Sequence, residues 1–437
     1  MYRKLLFLIS FCFVNVLVFS QSGTDFWLAP PAVTDGHDED PIHLRLSSGA
    51  LPAVITISQP ANPGFSGGTP IVVTLAANSS TLIDLTPEIA NLETFPRDQV
   101  LNTGLHISST QIITSYYEIN NEVDPEIYAL KGESGLGTEF YTPFQTVWNN
   151  SPFAQHADGV DPYPYTSFDI VATQNNTTVL IYPRTPLDGG HPALASYSIV
   201  LQRGQTYSGS VSNANASPTI TNGLLNPTGT AITSDKPIAV SVKDDLVYPN
   251  GSLCVDLIGD QLVPVDIVGT DYIVQKGQLT VQETVLITAT RNGTAVTIGG
   301  VYQTTLFAGE TYEYTITNPY TYVVCSQPSY CFHVSGFGCQ QGGAILPPLN
   351  CAGSDQVNLV RSNTNFFALN VLVPSGAEGS FALNGNTTLL TAADFTAVPG
   401  TGGVWLAAQK QFNTTQIPAG VNQLITNGTA PFAVGII

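Results

Sequence analysis

Glu283-Thr284-Val285-Leu286-Ile287-Thr288-Ala289-Thr290 runs through Arg291-Asn292-Gly293 into Thr294-Ala295-Val296-Thr297-Ile298. Apolar and polar residues alternate on both sides of Asn-Gly, and the β-branched residues that suit a pleated surface dominate. That pattern reads as a β-hairpin. Upstream stands Gly269-Thr270-Asp271-Tyr272. Downstream come Thr305-Leu306-Phe307-Ala308-Gly309-Glu310-Thr311-Tyr312, then Glu313-Tyr314-Thr315-Ile316, then a strand pair flanking Pro328 that ends in Cys331-Phe332-His333-Val334.

The same phrases recur. Gly23-Thr24-Asp25-Phe26, Gly137-Thr138-Glu139-Phe140 and, more loosely, Gly353-Ser354-Asp355-Gln356 repeat the opening, at spacings of 84 to 132 residues. Val171 to Ile181 repeats the hairpin, and Leu201-Gln202-Arg203-Gly204-Gln205-Thr206-Tyr207 repeats Leu306 to Tyr312. Self-similarity on this scale marks a copied structural unit. The expectation is an all-β protein of about four pseudo-repeated antiparallel units. They span 21–130, 131–255, 256–340 and 341–437, behind a signal peptide over 1–20. Two arrangements fit: tandem β-sandwich-like modules, or a closed β-propeller-like ring. The units are long for propeller blades of ~40–50 residues, which favours sandwiches. One helical turn is expected at Thr86-Pro87-Glu88-Ile89-Ala90, from its N-cap, its first-position proline and an acid in the first turn.

Tyr2-Arg3-Lys4, the apolar run Leu5 to Phe19 and Ser20 form a secretory leader, too short for a membrane span. The chain is therefore expected to be secreted or held at the cell surface, with no membrane insertion after leader removal. Only 10% of residues are charged, and the net charge is −19. Nucleic-acid binding needs basic patches, so that class is excluded. Cys12 leaves with the leader, and five cysteines remain. Export permits disulfides. Cys325 with Cys331 and Cys339 with Cys351 are the local candidate pairs, which leaves Cys254 as the odd thiol.

The Gly-Thr-Asp/Glu-aromatic phrases, Gly104-Leu105-His106-Ile107-Ser108-Ser109, Gly229 to Val240, and Cys254 through Asp260-Gln261-Leu262-Val263-Pro264 to Gly269-Thr270 together resemble the N-terminal domain of the IgG Fc-binding protein family and its secreted bacterial relatives. The resemblance covers nearly all of the mature chain. It implies an extracellular, non-enzymatic binding or adhesion module. No residue motif carries immunoglobulin binding across.

Gly64-Phe65-Ser66-Gly67-Gly68 matches the nucleophile-elbow pattern, but strand-like residues follow it where the mechanism needs a helix. Asp35, Asp38 and Asp40 crowd one loop, as calcium-binding carboxylates do, without EF-hand spacing. Asp158 and Asp161 form a second acidic pair. Trp148, Tyr163 and Tyr165, with nearby asparagines, could stack on a sugar. The histidines are scattered and read as structural. No cofactor is expected beyond structural calcium. The resemblance, with these residues, implies a glycan, a glycoprotein (mucin-like) or another surface protein as partner, bound by loops on a β scaffold. The rival readings are a secreted polysaccharide hydrolase, with Asp158, Asp161 and Glu139 as its acids, and a structural spacer in a larger surface assembly.

Overall fold

The computed structural model describes residues 21–34, 40–120, 125–146, 148–150, 164–212, 226–249, 254–350 and 353–437. The leader expected over 1–20 lies outside them. The regular structure of the described residues is almost entirely β, with one short α-helix, Ile89–Leu92, extending the 3-10 turn Thr86–Glu88. That is the expected helical turn, with one difference. Its N-terminus is held by Asp84 Oδ1, which accepts from the Thr86 amide at 2.9 Å, and not by Thr86 itself.

The first unit contains β1 (Gly23–Leu28), β2 (Ile42–Ser48), β3 (Ala53–Ser58), β4 (Ile71–Leu75), β5 (Ser80–Asp84), β6 (Val100–Leu101), β7 (Leu105–Ile119) and β8 (Glu126–Ala129). The long β7 organises it. The first half of β7 pairs with β1 and β3, and β4 adds outside β3. The second half pairs with β2 and β8, and β5 adds outside β2. One strand thus threads two layers, and the layers close over a core that includes Phe26, Leu44, Ile55, Ile107 and Tyr117.

The second unit repeats this order with β9 (Gly137–Tyr141), β10 (Asn149–Asn150), β11 (Tyr165–Ala172), β12 (Thr177–Tyr182), β13 (Tyr197–Leu201), β14 (Thr206–Ser212), β15 (Ala231–Tyr248) and β16 (Asp256–Gln261). Here β15 is the long strand. It takes β9 and β12 on its first half and β11 and β16 on its second. The third unit has β17 (Asp271–Gln275), β18 (Gln278–Leu279), β19 (Thr284–Ala289), β20 (Thr294–Ile298), β21 (Val301–Leu306), β22 (Thr311–Thr315), β23 (Tyr320–Cys325), β24 (Ser329–Gly338) and β25 (Gln340–Ile345). Its long strand is cut in two where Pro328, which cannot donate to a ladder, intervenes. β23 then holds β17 and β20, while β24 holds β19 and β25. In the fourth unit Asn422–Asn427 pairs with Gln356–Val360 and Phe381–Leu383, and Ala368–Pro374 joins Ala433–Ile436 to Trp405–Gln411. The architecture is tandem two-layered sandwiches.

The Asn292-Gly293 turn corrects one reading. β19 and β20 do not pair. They lie in opposite layers, so the turn arches across the sandwich. A two-residue I′ turn needs positive φ at both positions; Gly293 has φ +76° and Asn292 does not share it. The genuine two-residue hairpin is the next turn, Gly299-Gly300, with φ of +57° and +80°, joining β20 to β21.

The repeated opening phrase has a physical cause. Its aromatic residue is core: Phe26 and Phe140 are fully buried, and Tyr272 is 1% exposed. Its glycine lies under the segment that trails the unit's last strand. A Cβ on Gly137 would stand 2.2 Å from Pro264 Cβ, and one on Gly269 would stand 2.4 Å from Pro348 Cβ. At Gly23 the neighbours are Glu133 and Gly132.

The units pack on one another. β6 of the first adds to β14 of the second. The core of the second unit runs into Leu286, Phe332 and Val334 of the third. Ser362 of the fourth donates to Glu118 of the first at 3.1 Å, where Glu118 already holds buried Arg45 through Nη2 at 2.9 Å. The cysteine pairing differs from the local expectation. The disulfide joins Cys254 to Cys339, at the starts of β16 and β25, with Cα atoms 5.8 Å apart. Cys325 and Cys331 are free thiols facing the third unit's core, where burial raises their pKa values. Cys351 lies outside the described residues.

Candidate functional site

The long inserts of the second unit leave and return at one end of its sheet. Antiparallel register brings their roots together: Asn149 faces Tyr248, Tyr165 faces Ser212, Thr166 faces Asp244, and Val247 faces Asp256. The segments 151–163, 213–225 and 250–253 are therefore rooted side by side. Residues 29–34, which lead from β1 toward 35–39, lie against the same end. Thr34 donates its amide and hydroxyl to Asp245 Oδ2 at 2.9 and 2.5 Å.

These roots are braced by buried polar groups. Asp244 accepts from Gln145 Nε2 at 2.8 Å, Asn150 Nδ2 at 2.9 Å and Thr166 Oγ1 at 2.8 Å. Asn226 Nδ2 donates to the Gln145 carbonyl. Burial nevertheless outweighs these donors and pushes Asp244 up to about 6. On the opposite sheet face lies Lys243, with its side chain wholly inaccessible. It donates to the Ala32 carbonyl at 2.5 Å and stands 3.2 Å from the Tyr165 ring centroid, a cation–π contact. Burial lowers its pKa, against the pull of Asp245 and Asp169. Asp169 is itself pushed up to about 6 by burial.

This geometry changes the reading of two aromatic candidates. Tyr165 is 1% exposed, with Lys243 and the Arg97 guanidinium, 4.4 Å away, against its ring. Trp148 is 6% exposed, in the second unit's core. Neither has a free face for a sugar, because the first unit's loops and the sheet interior close over them. Tyr163, Asp158, Asp161, Asp35 and Asp38 lie outside the described residues, and Asp40 is exposed. Among the described residues no three His, Cys, Asp or Glu side chains are grouped to hold a metal ion.

The remaining polar candidates are engaged structurally. Glu139 receives Arg291 of the third unit at 2.6 and 3.1 Å. Ser66 sits in a tight surface turn with φ +51° and no helix after it. His106, His191 and His333 each meet one carboxylate, Asp25 at 2.6 Å, Asp98 at 2.8 Å and Glu283 at 2.9 Å. What the sequence could not signal was Lys243 and its buried neighbours. On a sheet's outer face they read as solvated residues until another unit covers them.

Among the described residues no helix is long and apolar enough to cross a membrane. No curated protein matches the chain. Among solved structures, Bifidobacterium dentium β-glucuronidase in complex with coumarin-3-O-glucuronide is 8% identical, with 58% of this chain and 43% of that one covered and a TM-score of 0.12. A calcium-binding mutant of Bacteroides uniformis β-glucuronidase 2 is 12% identical over 58% of this chain and 27% of that one, with a TM-score of 0.12. A glycoside hydrolase family 32 protein from Bifidobacterium adolescentis is 9% identical over 94% and 99%, with a TM-score of 0.16. The chain spans less than half the length of the first two, and likeness at these scores carries no argument. The family model described as IgGFc binding protein matches residues 126–437, from the last strand of the first unit through the fourth. With that match over most of its length, the chain belongs to the IgGFc binding protein family.

Proposed function

We propose that this protein is a secreted or surface-displayed, non-catalytic binding protein that recognises a glycoprotein partner through the inserts of its second unit. The observation that carries the reading is the convergence of the insert roots on a braced sheet end. Three inserts share one platform, and the strands beneath it are fixed by Asp244, Asp245, Lys243 and Tyr165. Loops on a rigid β scaffold are where recognition concentrates. Family membership supports binding to a protein or glycoprotein. Tyr163, Asp158 and Asp161 would then be contact residues. Asp35, Asp38 and Asp40 would steady the neighbouring loop by taking calcium.

The test is a mucin, glycan and glycoprotein array probed with the chain from Gln21 to Ile437, with and without calcium. Saturable binding that falls at least tenfold in Tyr163→Ala, with near-ultraviolet circular dichroism unchanged, is the expected result. Binding that survives replacement of 151–163 by a Gly-Ser linker would overturn the placement of the site. Absence of binding to every probe would overturn glycoprotein recognition.

A further inference from the structure

Lys131 meets Asp260 where the first and second units join, against β25 of the third. Lys131 Nζ lies 3.0 Å from Asp260 Oδ1 and 2.9 Å from Oδ2. The two side chains are 4% and 3% exposed. Each Asp260 oxygen also accepts a backbone N–H: Gln261 to Oδ1 at 2.8 Å and Ile345 to Oδ2 at 2.9 Å. Glu126 Oε1 receives the Gly343 amide at 3.5 Å. Residues 343 and 345 project to the same side of β25, about 7 Å apart along the strand, so Glu126 is a neighbour of Asp260 and not in contact with it. Asp256 is the other charged group nearby, approached by Gln341 Nε2 at 3.4 Å.

We propose that Lys131 and Asp260 condense to an intramolecular isopeptide bond that ties the first unit covalently to the last strand of the second. The parts needed are present. An amine and a carboxyl held at van der Waals range gain an effective concentration of roughly 10⁵–10⁸ M. A dry site disfavours the ion pair relative to neutral amine and neutral acid. Burial raises the pKa of Asp260 against the pull of Lys131, which favours passing a proton from the amine to the carboxylate.

The steps balance. The Lys131 ammonium passes one proton to the Asp260 carboxylate, and the neutral Nζ attacks Cγ. The tetrahedral oxyanion is held by whichever of the Gln261 and Ile345 amides faces the retained oxygen. The second proton passes from Nζ to the departing hydroxyl on the same tetrahedral centre. The Nζ–Cγ bond forms, one Cγ–Oδ bond breaks, and one water leaves. No oxidant or cofactor is consumed.

The experiment is tryptic peptide mapping of the full chain after denaturation and reduction, which removes the disulfide from consideration. The expected product is a branched peptide in which 98–184, uncut at Lys131, is joined to 244–276 and is lighter than the two together by one water. Cleavage after Lys131, with 98–131 and 244–276 recovered as linear peptides, would overturn the proposal. Lys131→Arg keeps the charge and is expected to abolish the branched peptide. The mapping of the parent chain decides the matter even if a variant fails to fold.

Discussion

Replacing Gly137 by alanine tests the account of the repeated opening phrase. Gly137 begins β9, and its φ lies outside the left-handed region, so alanine meets no backbone penalty there. The cost is spatial. The new methyl would stand 2.2 Å from Pro264 Cβ and 2.6 Å from Pro264 Cγ, where carbon atoms settle at about 3.5–4.0 Å. Relief needs a shift of more than about 1 Å. Pro264 is a ring fixed to its own backbone, and its carbonyl receives the Ile267 amide at 3.0 Å. It cannot swing aside as a flexible side chain would. Overpacking of this kind costs about 1–3 kcal/mol, and the rigidity of the proline places Gly137→Ala at the upper end. The control is Gly379→Ala, where an added Cβ meets nothing within 4 Å and an effect within about 0.5 kcal/mol is expected. Urea unfolding of both variants against the parent, followed by tryptophan and tyrosine fluorescence, gives the comparison. Equal midpoints for the two would refute the idea that the trailing segment selects glycine.

Two further outcomes are expected. Replacing both Cys254 and Cys339 by serine opens a covalent loop of 85 residues, and on chain entropy alone costs about 4.5 kcal/mol; guanidinium unfolding of the double variant within 1 kcal/mol of the parent would contradict it. Asp169 titrates from 3.8 in the open chain to about 6 in the fold, so its protonated form is favoured by folding. Its contribution is fully present below 3.8 and is lost as pH rises to about 6, a change of about 3 kcal/mol. The stability difference between the parent and Asp169→Asn, measured by urea titration at pH 4 and pH 7, should therefore move by about 2.4 kcal/mol in favour of the variant at pH 7.

The strand content and the four-fold repetition were legible because both reside in local pattern. Alternation in Thr294–Ile298 reports that two faces differ, while the apolar run Val285-Leu286-Ile287 belongs to a strand buried on both faces, and the Gly-Thr-Asp/Glu-aromatic phrase reports a buried ring beside a crowded backbone. What alternation cannot report is which neighbour a strand takes. The Asn292-Gly293 arch and a true hairpin carry the same pattern of apolar residues, and only the φ values of the turn separate them. The disulfide was hidden for a related reason. Cys254 and Cys339 precede strands of two successive units, and distance along the chain says nothing of that adjacency. Nothing local in the sequence marks Asp260 as buried, because Lys131 and the β25 backbone that cover it lie far along the chain. Tyr165 is likewise covered by first-unit Arg97, whereas Trp148 sinks into its own unit's core.

The last strand of a unit is also its tether to the next. β8, β16 and β25 each finish a sheet and lead directly into the next opening phrase. As the chain emerges from the ribosome, N-terminus first, a unit's sheet must wait for its tether before its edge is closed. The first junction waits longer still, because the Gly343 amide that meets Glu126 arrives 217 residues later. A cut placed just before a tether leaves an open edge behind it, so fragments that end at Ala129, Gln261 or Ile345 should keep their sheets while fragments a few residues shorter should aggregate. The divisions between inherited copies and the divisions between separable pieces therefore do not coincide in this chain.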